Sequence, residues 1–249
     1  MTPVPHPIHD VLAAKVAAPA RGVVVDLGCG PGHTLAALRR RRPGTRLIGI
    51  DLTPGALAAA RQTTLAAGLV QADLSCWLPL RDASVDALVC HNVIELRPDP
   101  FGLFVEARRV LRANGRAVWS HTDFASLVIH GADQDLTARI CWSYAEIPQR
   151  WMAHVDPRAG RGIPALARRA GLTVEGFDAQ VLTATRLTGR ARRRVDELTG
   201  VVCRHITQER VELTLAQVQT WRTQLDHADA AGEFCFAETA FITSTSRPR

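Results

Sequence analysis

Residues 23–34 read VVVDLGCGPGHT, and no other stretch restricts the fold as much. The β-branched run favours an extended strand, which Gly28, Gly30 and Gly32 then interrupt, while Pro31 ahead of HTLAALRRRR predicts a helix from its first turn. Strand, glycine-rich turn and helix, in that order, bring backbone close to a ligand at the carboxyl end of the strand, where open parallel sheets bind. The spacing excludes two ligand classes. A dinucleotide fingerprint counted from Gly28 needs glycine at 33, which is His33, and no Gly-Lys-Ser/Thr follows to make a phosphate loop. Asp26, at the strand end, would repel a pyrophosphate and suits a cationic ligand.

The same rhythm continues. TRLIGID, LVQADLS, VDALVCHN and GRAVWSHTD read as further strands, and residues 53–68 and 100–112 as helices, with Thr53 as N-cap and Gly68 as C-cap of the first. Apolar strands alternating with helices predict an α/β fold around a doubly wound, mostly parallel sheet. After Gly131 the pattern changes: Leu136, Ile140, Tyr144 and Ile147 recur at helical spacing, with Trp142 and Trp151 beside them. IPALARRAG then predicts a helix and LTVEGFDAQVL a strand. A helical block follows at 190–230, with Leu215, Val218, Trp221 and Leu225 as its stripe, and EFCFAETAFITS closes the chain as a strand. At 249 residues and 47% hydrophobic, one domain can bury a full core. Its expected parts are an N-terminal helical segment (1–20), a ligand-binding core (21–123), a helical lid insertion (124–157) and a C-terminal half with a helical cover (158–249).

The net charge of +6 raises the question of nucleic acid, but Lys15 is the only lysine, and the arginine run at 39–42 closes a predicted helix, where cations favour the dipole. The run at 192–194 reads in the same way, as a solvated helix end more than a phosphate footprint. Cys29, Cys76, Cys90, Cys141, Cys203 and Cys235 are scattered without metal-ligand spacing, so neither zinc nor a disulfide framework is expected. No apolar run reaches membrane-spanning length and no signal-peptide layout is present, which predicts a cytoplasmic protein with no membrane partner.

Asp26, Gly28, Gly30 and Gly32 match an acidic residue followed by G-x-G-x-G, and on these residues the chain resembles a class I S-adenosylmethionine-dependent methyltransferase. The resemblance implies a Rossmann-like methyltransferase fold, a seven-stranded sheet with an antiparallel last strand. It implies that the turn, Cys29 included, meets the methionyl part of S-adenosylmethionine, with S-adenosylhomocysteine as product. Asp51 would hold the ribose hydroxyls, with Leu52 beside it, and Asp73 the adenine amino group, beside Leu74. Asp51 or Asp73 alone reads equally well as a helix cap. CHNVIEL resembles the H-N-V-L-E-H stretch of small-molecule methyltransferases, which places His91 and Asn92 beside the cofactor and leaves Leu96 where a base sometimes stands.

SHTDFASLVIH resembles a D-x-D-W-D-T-L-V pattern in a branch associated with secondary metabolism or quinone-like acceptors. His121 and Asp123, two apart on a strand, point to one side and form a candidate general-base pair, although a strand-end Asp also caps turns and a histidine there also borders cofactor. Phe124, Trp142, Tyr144 and His154 are the candidate acceptor contacts, with Tyr144 equally suited to packing. His6 and His9 carry no signal that places them. The expected reaction is methyl transfer to O, N or C of a small organic acceptor, aromatic or polyketide-like, by a monomer or homodimer. Two competitors remain: an RNA methyltransferase that uses the arginine runs, and a methyltransferase fold catalysing cyclisation or rearrangement with the cofactor as spectator.

Overall fold

The computed structural model describes residues 7–64, 67–75, 77–149, 152 and 154–249; His6, Cys76 and Trp151, singled out above, lie outside the described residues. The chain forms two compact units. The first holds the residues up to His121, Ala159–Ala179 and Ala240–Arg249, and the second holds Thr122–Arg158 and Gln180–Thr239. The insertion expected at 124–157 thus falls in the second unit, while the half beginning at 158 is shared between the two.

In the first unit, β1 (Val23–Leu27), β2 (Arg46–Asp51), β3 (Gly68–Gln71), β4 (Val85–His91) and β5 (Leu111–Thr122) alternate with helices α1 (Ile8–Lys15), α2 (His33–Arg41), α3 (Pro54–Thr63) and α4 (Phe101–Val110). The strand order is β3-β2-β1-β4-β5, parallel throughout, with Val25 opposite Ile48 on one side and Leu88 on the other. Side chains of β1 alternate between two cores. Val25 and Leu27 pack with Phe104, Trp119 and Ile163, whereas Val24 packs with Leu12, Leu35 and Leu38. A sheet covered on both faces needs continuous apolar strands, which is why VVV and ALVC carry no polar alternation. Helix α6 (Ala159–Arg169) joins the first of these cores, and β7 (Thr173–Ala184) pairs with the last strand, β8 (Cys235–Ser246). β8 runs against β5: Asn114 N donates to the Arg247 carbonyl at one end and Asp123 N to the Thr239 carbonyl at the other.

The second unit contains β6 (Val128–His130), α5 (Gln134–Glu146), α7 (Gly189–Thr207) and α8 (Leu215–Ala231). Ile140, Leu198, Val202, Val218, Trp221 and Leu225 make its core. Four local expectations change. VIH forms a short strand antiparallel to β8, with His130 opposite Cys235, so the sheet has eight strands. Gly68 opens β3 instead of closing the preceding helix, which ends at Thr63. The stripe of α8 starts at Val218, because Leu215 at the helix start is 51% exposed. The helical block also divides, as Glu209 takes a positive φ of 54° between α7 and α8.

Candidate active site

The site in the first unit starts from the turn after β1. Gly28 and Cys29 donate their amides to the Ile50 carbonyl (2.8 and 3.0 Å), which ties the turn to the end of β2. Gly28 has φ of 69°, and a Cβ there would lie 2.2 Å from Val93 Cγ2, so the loop after β4 seats directly on this glycine. Gly30 has φ of 51° and a Cβ there would meet nothing within 4 Å. Backbone at Gly30 therefore faces open space, as a turn that receives a ligand must. Its amide donates to Asp51 Oδ2 (2.9 Å), and Asp51 Oδ1 accepts from Thr53 N (2.9 Å). Thr53 is the N-cap of α3 but its hydroxyl makes no capping bond. Asp51 thus braces the turn and the start of α3 together, and each carboxylate oxygen keeps a second lone pair.

Asp26 is buried, and its Oδ2 has no hydrogen-bond partner among the described residues. Burial, with the nearby Asp51 charge second, raises its carboxyl well above the usual range. A cationic ligand at the turn would supply the missing charge. The same burial, aided by Asp26 and Asp51, pushes the Cys29 thiol up to about 12, so it stays protonated. Asp73, exposed beyond β3, accepts from Ser75 N (2.8 Å). Hydrogen bonds from Ser75 hold its carboxyl below the usual range, with a smaller contribution from Arg97, and keep it charged. Leu52, next in sequence to Asp51, is 59% exposed, and Leu74, next to Asp73, is buried.

The loop after β4 completes this side. His91 ends the strand, and Asn92 takes a positive φ of 52° while donating its amide to the Ser120 carbonyl (3.1 Å). Glu95 and His121, both buried, approach to 3.7 Å between Oε2 and Nε2. Sequence reading gave Glu95 no role: the pairing joins β5 to a loop 26 positions back, and only the sheet register brings them together. His9 was equally hidden. It bonds Thr34 Oγ1 (2.9 Å), and its ring lies 5.4 Å from that of His33 and 5.7 Å from that of His91. Packing of Ile8 and Leu12 of α1 into the core brings it there. His33 is held below its usual pKa by burial. Among the described residues no group of three or more His, Cys, Asp or Glu could hold a metal ion.

The remaining candidates belong to the second unit. Asp123 donates its amide to the Thr239 carbonyl (2.8 Å), and Phe124 donates to that of Pro157 (3.1 Å). The Phe124 ring meets Tyr144 edge-on at 5.8 Å, and the buried Arg194 guanidinium lies over both rings, at 5.0 and 5.5 Å. The Tyr144 hydroxyl donates to Glu197 (2.8 Å) and accepts from Arg194 (2.5 Å). Burial raises its pKa, so it stays a phenol. Trp142 is 57% exposed and His154 half-buried. Several arginines of the two runs are engaged within their units: Arg192 pairs with Asp226 and Arg194 with Glu238, while Arg40 pairs with Asp10 and Arg39 and Arg42 bond backbone carbonyls. No helix among the described residues is long and apolar enough to cross a membrane.

An open α/β sheet with an acidic residue and three glycines at its first strand end, Asp51 ending the second strand and Asp73 beyond the third is the arrangement that the resemblance to class I S-adenosylmethionine-dependent methyltransferases implies. In agreement, residues 25–119, from β1 into β5, match the family model described as a methyltransferase domain. A protein of transposon Tn4556 from Streptomyces fradiae is 31% identical over 229 residues, covering 88% of this chain and 60% of the relative. A trans-aconitate 2-methyltransferase from Azoarcus is 39% identical over 104 residues, 42% of this chain and 40% of the relative. The chain therefore spans less than two thirds of the curated relatives it matches. Among solved structures, the YcgJ protein of Bacillus subtilis shares the fold at a TM-score of 0.63 and 17% identity, over 98% of this chain and 100% of that one.

Proposed function

We propose that the protein transfers a methyl group from S-adenosylmethionine to a small organic acceptor. One observation carries this reading: the turn at Gly30 is open to a ligand while bound to Asp51, beside a buried Asp26 oxygen that has no partner among the described residues. The residues present fit the cofactor. The glycine turn and Asp26 suit its cationic methionyl end, Asp51 its ribose hydroxyls and Asp73 its adenine, with Cys29, Leu52, Leu74, His91 and Asn92 along the path. When bound, the cofactor supplies a methyl carbon made electrophilic by the adjacent sulfonium.

The work left to the chain is alignment and exclusion of water, with proton removal needed only where the acceptor must become a nucleophile. His121 is the group proposed for that proton. Glu95, 3.7 Å away within the first unit, is a carboxylate that could orient the imidazole, in addition to Asp123 further along the chain. Phe124, Trp142, Tyr144 and His154 are proposed as acceptor contacts. Tyr144, locked between Arg194 and Glu197, would contribute its ring and not a proton. The relatives named trans-aconitate 2-methyltransferase favour a small carboxylate-bearing acceptor as the first class to test, ahead of the aromatic or polyketide-like class. The engagement of several arginines of both runs within their units favours a small acceptor over RNA.

The test is an acceptor screen read by mass spectrometry for a gain of one methyl and for S-adenosylhomocysteine in equal amount. Methylated product with matching S-adenosylhomocysteine supports the reading. An acceptor rearranged without S-adenosylhomocysteine formation would replace it with the spectator-cofactor mechanism.

A further inference from the structure

Among the described residues of 72–84, between β3 and β4, there is no helix or strand, although this segment carries Asp73. A segment without ladder partners must find other partners for its backbone. Here two arginines provide them. Arg97 donates from Nη1 to the Leu74 carbonyl and from Nη2 to the Ser75 carbonyl (2.9 Å), and Arg109 reaches those of Leu78 (3.1 Å) and Leu80 (3.0 Å). The turn at 73–75 is therefore closed from two sides: by the Asp73 carboxylate on Ser75 N (2.8 Å), and by the Arg97 fork on the outward carbonyls. A planar guanidinium holding two successive carbonyls fixes orientation as well as position, which a single ammonium does not.

Arg97 follows the 3-10 turn Ile94–Leu96 in the loop after β4, and in the sheet order β3 and β4 are separated by two strands. The same loop places Val93 against Gly28. The stretch 93–97 of that loop thus bears on the glycine turn at one end and on the Asp73 turn at the other.

We propose that Arg97 is a positioning residue for recognition of the adenine 6-amino group, acting through the 73–75 turn without touching the ligand. The inference rests on the cofactor reading above. Its consequence is selective: loss of the fork frees the Asp73 carboxylate to rotate, so affinity falls for a ligand that needs that carboxylate and is spared for one that does not.

The probes are S-adenosylhomocysteine and its deaminated analogue, in which the 6-amino group is a carbonyl, titrated calorimetrically into the full chain. Wild type is expected to prefer the amino form. Arg97→Ala is expected to weaken S-adenosylhomocysteine by about tenfold, the order of one charge-assisted hydrogen bond, while the deaminated analogue changes little. Arg97→Lys, which keeps charge and stem, should fall between the two, and it decides the question if the alanine variant fails to fold. Equal weakening of both ligands, or no weakening in either variant, overturns the role of Arg97 alone. Wild-type protein that binds no S-adenosylhomocysteine overturns the cofactor reading, and this one with it.

Discussion

Asp26 is placed where a stability argument alone would not put a carboxylate. It is 2% exposed, and burial with the Asp51 charge raises its pKa, so the folded chain holds a proton that the unfolded chain releases. The stability associated with this group is therefore full at low pH, below the unfolded carboxyl range near about 4, and declines as pH rises toward the folded value. Asp26→Asn removes the titration while keeping the shape. The variant should be more stable than wild type at pH 7, by about 1–2 kcal/mol as for a buried group relieved of charge, with the gain vanishing near pH 4. Its affinity for S-adenosylmethionine should fall at the same time. Parallel melts across pH and a titration of ligand check both, and an unchanged melting profile would contradict the assignment of Asp26 as a group destabilised for its ligand. Asp26 and the glycines were legible in sequence because strand, turn and helix are local; the missing hydrogen-bond partner was not, because it depends on what packs over the strand.

At the scale of elements, the helices of the second unit show how a charge run read from sequence can hide its function. The run at 192–194 suggested a solvated helix end, yet Arg194 is 2% exposed, and with Arg190 it grips Glu238 at 2.9 and 2.6 Å. α7 places Arg190 and Arg194 four apart on one face, and β8 brings Glu238 to them from 48 and 44 positions away, a pairing that periodicity cannot supply. Glu238→Ala leaves the buried Arg194 with one carboxylate among the described residues, the half-exposed Glu197, beside the Tyr144 hydroxyl and the Phe124 and Tyr144 rings. A loss of about 3 kcal/mol in urea unfolding is expected, since breaking a buried pair strands its partner. A loss below that of an ordinary surface pair would mean that water reaches Arg194 freely. The misjudged elements have the same origin. Gly68 looks like a helix cap but opens a strand because β2 offers it a parallel edge, and VIH leaves the helical insertion because β8 offers an antiparallel one.

Taken as a whole, the molecule divides into a part that sequence could describe and a part that it could not. The strands up to β5 and the carboxylates Asp26, Asp51 and Asp73 follow from apolar runs and strand ends in order, and the family match covers the same stretch, residues 25–119. Glu95 beside His121, His9 between His33 and His91, and the Arg97 fork all join residues distant in sequence, and each needed the assembled sheet to become visible. The central claim is that the crevice at Gly30 and Asp51 binds S-adenosylmethionine. Asp51 supports the turn through Gly30 N and is the group proposed for the ribose hydroxyls, so Asp51→Ala removes both contributions at once. Calorimetric titration of S-adenosylhomocysteine into wild type and Asp51→Ala tests this most directly. Binding to wild type with at least about tenfold weaker affinity in the variant is predicted. Equal affinity in the two proteins, or no binding to either, would contradict it.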